Sequence, residues 1–372
     1  MKIHITCLSV LFIVLALSGC DDMRKRIDVD LADFPPKIAV SAWLDTDMGT
    51  FSMRLYEGFS LVSYNRYQSH TQIIKNGSVQ LYRDGQLVWS LAGRFDLSVY
   101  TMEYGEYGDI HRDITVTGLP VDAGSVYRLE IEMDGYQKAV ATAVMPDPPE
   151  VSDATIDLDT YEKKNSVNLV TVGYLDGGSY FHPVTCTLSD NSSEQDYYTL
   201  QIFRRQSSTA PDDYPDTEVK TDIGVGNSAI IQDNPDVEVQ GSFFDDTKTY
   251  DLYCFDVLLL SDLTFSGKSA ELELFTTADL QNRVGQNQKI TDYNPAIHGR
   301  EVVINNQWEI KVGHITSEMF RHYRSLLLQE KGLGFFSEPV LIVSNVENGY
   351  GCFSLQNSRR IVLKEYKTYV YH

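Results

Sequence analysis

The amino-acid sequence predicts an all-β protein: an N-terminal immunoglobulin-like β-sandwich over residues 37–146, followed by a second, larger β-rich domain over residues 151–372 that carries one late α-helix. Three observations predict this class. Short runs of alternating apolar and polar residues recur along the chain, and Asp-Gly pairs separate some of them. The 372 residues also include 23 Tyr and 16 Phe, which suit half-buried sheet surfaces.

The first domain has the clearest hairpin patterns. Asp84-Gly85 separates two alternating runs, and this dipeptide is a strong hairpin signal because a type I′ turn needs positive φ at both central residues. Asp134-Gly135 follows a similar run. The predicted strands are Ile38–Leu44, Phe51–Tyr56, Ser78–Arg83, Leu87–Leu91, Tyr127–Met133 and Tyr136–Met145. About seven short strands in about 110 residues are typical of an immunoglobulin-like sandwich.

The second domain follows the Pro-rich segment 146–150. The polar stretch 206–222 and the stretch 277–300 are predicted to be irregular. The predicted strands are Val167–Tyr174, Thr185–Leu188, Tyr197–Arg204, Thr249–Leu259, Ala270–Thr276, Val340–Ser344 and Arg360–Tyr371.

One helix is predicted over residues 316–331. Thr316 is a suitable N-cap, and Glu318 places negative charge in the first turn, where the helix dipole favours it. Apolar residues recur at helical spacing from Met319 to Leu327, and Lys331-Gly332 ends the pattern. We expect this helix to cover an open end of the second sheet.

The N-terminus predicts a lipoprotein signal peptide over residues 1–19. Lys2 is followed by the apolar run Ile5–Leu17, which is shorter than the roughly 20 residues that a membrane-spanning helix needs. The run ends at Leu17-Ser18-Gly19-Cys20, which resembles the lipobox of bacterial lipoproteins. We therefore expect diacylglyceryl and acyl groups such as palmitate on Cys20; an ordinary secretory signal with a chance Cys is the alternative.

Residues 20–36 are predicted to form the lipidated Cys and a flexible tether. The segment is charged and ends in Pro35-Pro36; as a flexible coil, its sixteen residues after Cys20 reach roughly 20–24 Å. Asp21-Asp22 resembles the acidic export tags of surface lipoproteins, although a merely solvating charge pair is an equal alternative.

The composition argues against some partners. The chain has 52 acidic and 31 basic residues and a formal net charge of −21, whereas nucleic acids and anionic lipids attract basic patches. The charge is compatible with divalent cations, cationic peptides or simple solubility.

No enzyme is predicted. The sequence has no HExxH, GxSxG or Walker motif, and Cys186, Cys254 and Cys352 are too widely spaced for a zinc pattern. We interpret these three as small buried hydrophobes, or as one disulfide and a spare. Apart from the lipid on Cys20, no cofactor is expected.

Four tyrosines are candidate binding residues. Tyr100, Tyr104 and Tyr107 follow one another in YTMEYGEY, where aromatic side chains on a loop could bind a partner or could equally belong to the core. Tyr350 lies between two glycines in NGYG, which could hold the ring outward, although a tight turn between two strands is the favoured interpretation.

No metal site is expected, although one group of three carboxylates is a candidate for one. Asp190, Glu194 and Asp196 in DNSSEQD could form an oxygen cage for Ca²⁺, but the spacing differs from an EF-hand loop. A solvated turn with Asx hydrogen bonds is the favoured interpretation.

Several segments resemble one family in their order along the chain: KIAVSAWL, VTGLPVDAGSVYRLEIEMDGYQKAVATAVMP, DNSSEQDYYTLQI, FFDDTKTYDLYCFDVLLL, VGHITSEMFRHYRSLLLQ and FFSEPVLIVSNVENGYGCFS. This pattern is similar to the outer-membrane lipoproteins of Bacteroidota that are grouped as a domain of unknown function (number four-two-four-nine). None of the segments is a catalytic motif, so the resemblance transfers no functional residue.

The resemblance implies a non-enzymatic lipoprotein, anchored in the outer membrane, that acts as the accessory partner of a TonB-dependent receptor in nutrient capture or uptake. The cell-surface side of the outer membrane is favoured over its periplasmic side as the location of the protein. The alternative is a surface glycan-binding, adhesin-like or fimbria-like lipoprotein, which predicts exposed aromatic side chains.

Overall fold

The computed structural model describes residues 36–58, 73–98, 110–111, 113–160, 162–164, 166–168, 179–190, 194–225, 252–255, 257–277, 300–331 and 341–371. The predicted signal peptide and Cys20 lie outside the described residues, and so do Tyr100, Tyr104 and Tyr107. No helix within the described ranges is long and apolar enough to cross a bilayer.

The first part of the chain forms eight strands. They are β1 (Lys37–Asp45), β2 (Thr50–Gly58), β3 (Ile74–Arg83), β4 (Gln86–Asp96), β5 (Ile110–His111), β6 (Asp113–Val116), β7 (Val126–Met133) and β8 (Ala139–Val144). A short 3-10 helix, Asp47–Gly49, connects β1 to β2.

The second part forms ten strands. They are β9 (Glu150–Ile156), β10 (Glu162–Lys164), β11 (Ser166–Asn168), β12 (Ser179–Ser189), β13 (Tyr197–Ser208), β14 (Thr217–Thr221), β15 (Ile223–Val225), β16 (Leu252–Phe255), β17 (Leu258–Ser261) and β18 (Ser269–Thr277).

The C-terminal part contains β19 (Glu301–Ile315), the helix α1 (Ser317–Lys331), β20 (Val346–Glu347) and β21 (Tyr350–Tyr371). The Thr316 hydroxyl accepts a hydrogen bond from the Met319 amide at 3.4 Å, which confirms the predicted N-cap.

Three sheets build the fold. The central sheet has the order β14-β13-β19-β21-β1-β2-β6, with β17 also paired to β13. The N-terminal sheet has the order β20-β8-β7-β3-β4-β5. The C-terminal sheet has the order β10-β12-β18-β15-β16-β11, with β9 also paired to β12.

Each outer sheet packs on one half of the central sheet, and the two largest hydrophobic cores of the described residues lie between these layers. The first core combines residues of the N-terminal sheet with β1 and β2, and its largest members include Phe51, Phe95 and Tyr127. The second core combines residues of the C-terminal sheet with β13 and β19, among them Leu200 and Ile310. The all-β class with one late helix is therefore confirmed.

The long strand β21 belongs to both sandwiches. From Tyr350 to Gln356 it runs parallel to β1, and from Gln356 to Tyr371 it runs antiparallel to β19. Phe353 and Leu355 consequently lie in the first core, while Ile361 packs against the second. The domain boundary near residues 146–151 stays a prediction. The first sandwich also includes β20 and β21, which come from the end of the chain.

A network of buried charges lies where β21 changes partner. The Lys311 ammonium lies 2.6 Å from a carboxylate oxygen of Asp45 and 3.0 Å from one of Asp47, and Arg360 contacts Asp47 at 2.7 Å and Glu309 at 3.1 Å. Burial alone would raise the pKa of Asp47, but the hydrogen bond from Arg360 and the charge of Lys311 lower it below its usual value.

The predicted hairpins are present, with one difference in turn type. Asp84 and Gly85 have φ values of 50° and 80°, as a type I′ turn requires. At the second turn only Gly135 has positive φ, and the Tyr136 amide donates to the Met133 carbonyl at 3.1 Å. Positive φ at the third residue alone is typical of a type II turn.

Three predictions about strands were wrong. The strand β19 was not predicted, and residues 341–344 of the predicted strand Val340–Ser344 have no regular structure. Part of the stretch predicted as irregular, Thr217–Thr221, forms the edge strand β14. Its polar sequence is compatible with a strand because most of its residues are exposed at the sheet edge.

Candidate functional site

The candidate site is a cleft at the junction of the two sandwiches, which we call the seam cleft. It has a volume of about 820 Å³. Its walls are the linker 142–150, the end of β12, the start of β13 and the connection from β19 to α1. The cleft therefore lies where ligand sites are commonly found, between two packed units.

The described lining of the seam cleft is acidic. It contains six carboxylate side chains and one histidine, His314, and it contains no Lys or Arg. The six carboxylates are Asp147, Glu150, Asp190, Glu194, Asp196 and Glu318. Charges of one sign that line a cleft with low-dielectric walls concentrate the electric field there. This surface therefore attracts positive charge.

His314 connects the linker to β13. One ring nitrogen, Nδ1, lies 2.8 Å from the Asp147 carbonyl oxygen, and the other, Nε2, lies 3.2 Å from a carboxylate oxygen of Asp196. A carbonyl only accepts hydrogen bonds, so Nδ1 carries the proton. The contact with Asp196 then needs a second proton, which resides on His314 or on the carboxyl group.

The environment of Asp196 favours its protonated form. Burial raises the pKa of Asp196, and the charge of Asp190 and a hydrogen bond between the two side chains raise it further, while His314 lowers it. The Asp190 carboxylate is itself fixed, because it accepts a hydrogen bond from the Gly267 amide at 2.6 Å. The turn between β17 and β18 thus holds Asp190 beside Asp196.

Asp262 lies behind this pair and is fully buried, with 0% of its surface exposed. Burial raises the pKa of Asp262, and the charges of Asp190 and Asp196 raise it further, while hydrogen bonds with the Asp196 backbone and the Ser266 side chain lower it. Burying an ionised carboxylate beside two like charges is destabilising.

The structure brings two of the three candidate cage residues together. Asp190 and Asp196 share a hydrogen bond, whereas Glu194 is exposed on the cleft rim. The sequence prediction missed Asp262 and His314, which are distant along the chain. Across the described part of the chain, no three His, Cys, Asp or Glu side chains form a group that could hold a metal ion.

Tyr350 is the first residue of strand β21 and is partly buried. Its ring lies against Gly58, where an added Cβ would come within 2.8 Å of it, and the Lys37 ammonium lies 5.1 Å from the ring centre. The following Gly351 has φ of 93°, and a Cβ there would lie 1.9 Å from the Val40 carbonyl oxygen. Glycine is therefore required for β21 to approach β1.

A smaller depression of about 350 Å³ lies on the outer face of the central sheet. Trp43 lies in it with 40% of its surface exposed. Beside the indole, Arg54 forms a two-point ion pair with Asp113, and the hydroxyls of Ser41 and Thr115 complete a polar floor. An exposed indole next to such groups offers both an apolar face and hydrogen-bonding partners.

The other large depression, of about 840 Å³, lies over the far end of the central sheet. Its polar groups are paired with one another. Arg205 forms an ion pair with Glu218, and the Gln206 amide donates to the Asn306 side chain at 2.7 Å. The described lining of the seam cleft differs from it because it contains no Lys or Arg.

Two buried cysteines are free thiols, Cys186 and Cys352. Burial raises the pKa of Cys186 to about 12 and that of Cys352 to about 11. Both thiols therefore stay protonated at neutral pH, which is the unreactive form.

These features define a class: an all-β protein of two sandwiches joined through one shared sheet, with an acidic cleft at the junction. The chain belongs to the family described as Domain of unknown function (DUF4249), whose model matches residues 24–361. Membership of this domain family, which the sequence resemblance predicted, is thereby confirmed. No curated protein matches the chain significantly.

Replacing Asp262 by Asn should stabilise the protein at neutral pH. The raised pKa means that the folded state binds more protons than the unfolded state just above pH 3.8, so stability falls as pH rises through that window. We expect Asp262→Asn to add about 1–2 kcal/mol to the free energy of unfolding at pH 7.5, and much less at pH 4.5. Urea unfolding at both pH values measures the difference.

The exposed Asp159→Asn is the matched control, and it should change stability little at either pH. An equal loss of stability for Asp262→Asn at both pH values would contradict the view that the buried charge is destabilising.

Proposed function

We propose that this protein is a non-enzymatic lipoprotein, anchored in the outer membrane through Cys20, that serves as the accessory partner of a TonB-dependent receptor in nutrient capture or uptake. The observation that carries the proposal is the apolar run Ile5–Leu17 ending at Leu17-Ser18-Gly19-Cys20. Two or three acyl chains on Cys20 would anchor the protein stably, since each buried CH₂ contributes about 0.8 kcal/mol.

Binding rather than catalysis is supported by the chemistry of the sequence and of the described thiols. The sequence has no motif that arranges a nucleophile and a base, and Cys186 and Cys352 are buried as protonated thiols. The seam cleft offers carboxylates in a fixed frame, which suits recognition of a ligand.

The proposal that a receptor is the partner rests on the family resemblance, and the shared sheet is compatible with such a partner. A lipid-tethered protein that docks on a barrel needs a surface that keeps its shape, and β21 holds the two sandwiches in one sheet. The tether of residues 20–36 gives roughly 20–24 Å of reach from the membrane. The Asp21-Asp22 pair favours the cell-surface face.

Purification from native membranes tests the proposal. A tagged protein extracted in mild detergent should bring along a stoichiometric TonB-dependent barrel, identified by mass spectrometry. Replacing Cys20 by Ala should release the protein from the membrane fraction and remove the barrel, because the lipid anchor is lost.

Cys7→Ala is the matched control, since this cysteine precedes the lipobox and should leave anchoring intact. A membrane-bound Cys20→Ala variant would contradict lipidation at this residue. A wild-type lipoprotein that purifies without a barrel would contradict a stable receptor complex.

The second candidate function is a surface glycan-binding, adhesin-like lipoprotein, and the exposed Trp43 favours it. A sugar ring can stack its C–H face on the indole while its hydroxyls bond to Arg54 and Asp113. On a glycan array, Trp43→Ala should lose at least about tenfold in affinity for any glycan that binds the wild type.

Leu87→Ala is the control for this array, because Leu87 is an exposed apolar residue on the N-terminal sheet. Equal loss in both variants, or binding that Trp43→Ala leaves unchanged, would contradict the proposed glycan surface.

A further inference from the structure

We propose that the depression around Trp43 binds a neutral sugar ring and discriminates against acidic sugars, because Arg54 and Asp113 form a charge-balanced pair beside the indole. The inference rests on the proposed glycan-binding function and goes beyond it by naming the class of sugar. We call this site the Trp43 hollow. Its polar and aromatic side chains are Ser41, Trp43, Ser52, Arg54, Asp113 and Thr115.

The strand register places these six side chains in two neighbouring rows on one face of the central sheet. One row is Trp43, Ser52 and Thr115, and the other is Ser41, Arg54 and Asp113. The first core lies on the other face, since Ala42 and Leu44 belong to it. Diagonal neighbours on adjacent strands stay within reach of long side chains. The register therefore brings the Arg54 side chain beside the indole of Trp43.

Differences in side-chain length make the hollow in an otherwise flat sheet surface. Ser52 and Thr115 are short, and their hydroxyl oxygens lie 3.2 Å apart, so they form a polar floor. The long side chains of Trp43 and Arg54 border this floor. The volume of the hollow is about 350 Å³, at the lower end of the range for small-molecule sites. A site of this size suits a single sugar unit better than a long chain.

The indole supplies the apolar part of the site. Trp43 has 40% of its surface exposed, although it lies in the middle of a strand whose neighbouring residues are buried. Aromatic side chains with one apolar face and one polar group are common where a ligand or partner is bound. A pyranose ring can cover the indole with its C–H face and direct its hydroxyls toward the second row.

Arg54 and Asp113 supply hydrogen-bond donors and acceptors side by side. The Nε and Nη2 atoms of Arg54 donate to the two carboxylate oxygens of Asp113. The two side chains are 43% and 52% exposed, so a ligand can reach both. A guanidinium group only donates hydrogen bonds and a carboxylate only accepts them. Since a hydroxyl does both, two adjacent hydroxyls of one ring can bond to both members of the pair.

The charge balance of the pair selects neutral sugars. The carboxylate of Asp113 already compensates the positive charge of Arg54, and the whole chain has a formal net charge of −21. The carboxylate of an acidic sugar would have to displace Asp113 or lie beside it, and like charges repel. A neutral ring avoids both costs while it keeps the same hydrogen bonds.

Matched pairs of sugars test this preference. The neutral probes are methyl β-glucopyranoside and methyl β-galactopyranoside, and the methyl glycosides of glucuronic acid and galacturonic acid are their acidic counterparts. Each is titrated into the full-length protein in detergent and followed by ligand-observed saturation-transfer NMR. We expect at least one neutral probe to bind saturably and at least about tenfold more tightly than its acidic counterpart. The strongest saturation transfer should reach the ring C–H protons, because these face the indole.

Asp113→Asn tests the charge balance itself. This change keeps the size of the side chain but removes the carboxylate that Arg54 contacts. The variant should bind the acidic glycoside at least about tenfold more tightly than the wild type does, and it should bind the neutral one more weakly. A purely structural role of Asp113 would weaken the binding of both sugars.

Asp213→Asn is the matched control. It removes one carboxylate from another exposed ion pair, with Arg300, and changes the net charge equally. Exposed ion pairs contribute little to stability, so both variants should fold, and thermal unfolding checks this. The affinities of Asp213→Asn for both kinds of sugar should equal those of the wild type.

The outcomes separate this inference from the glycan-binding function on which it rests. If the wild type binds acidic sugars as tightly as neutral ones, and Trp43→Ala abolishes that binding, the glycan function stands and the sugar class is wrong. An equal change of preference in Asp113→Asn and Asp213→Asn would also overturn the sugar class. If no probe binds, or if Trp43→Ala leaves binding unchanged, both proposals fail.

Discussion

The change of partner within β21 at Gln356 is the constraint on which the rest of the structure depends. Up to this residue the strand extends β1 in parallel, and beyond it the strand pairs with β19. One continuous backbone thus carries the hydrogen-bond ladders of two sandwiches. The seam cleft lies beside this point: the Asn357 side-chain amide donates to the Pro146 carbonyl at 2.8 Å, and the Thr316 amide donates to the Leu355 carbonyl at 3.2 Å. Two walls of the cleft are therefore attached to the shared strand.

The charges near this junction have two different arrangements. Lys311 is nearly buried and lies between Asp45 and Asp47, so removing it would take away the cation that Asp45 contacts and would leave Asp47 with Arg360. Buried ion pairs often contribute little net stability but are strongly destabilising when one partner is lost, and they favour one register over others. Beside the cleft, by contrast, the charges of Asp190 and Asp196 raise the pKa of the buried Asp262, and no Lys or Arg is among the described residues that line the cleft. Perturbed carboxylates in a cleft are a common feature of binding sites.

Much of the fold could be predicted because its signals are local. The Asp84-Gly85 turn and the alternation in Tyr127–Met133 identify their hairpins without reference to the rest of the chain. The strand β19 also carries a local signal, since Trp308, Ile310 and Val312 face the second core between the charged Glu309 and Lys311. This alternation could have identified β19, but the prediction did not use it.

The assembly of the site could not be predicted in this way. His314 reaches Asp196 across 118 positions, and Asp262 joins them through the pairing of β17 with β13. Which strands become neighbours is decided by non-local packing, and the insertion of β20 and β21 beside the first strands is such a case. The sequence therefore identified Asp190 and Asp196 as neighbours in a turn but not the buried carboxylate and histidine that complete the site.

The central claim is that the shared strand makes the two sandwiches one cooperative unit that holds the cleft. Differential scanning calorimetry of the purified protein tests it most directly. The account predicts a single unfolding transition whose calorimetric and van't Hoff enthalpies agree. Two separate transitions, one for each core, would contradict it.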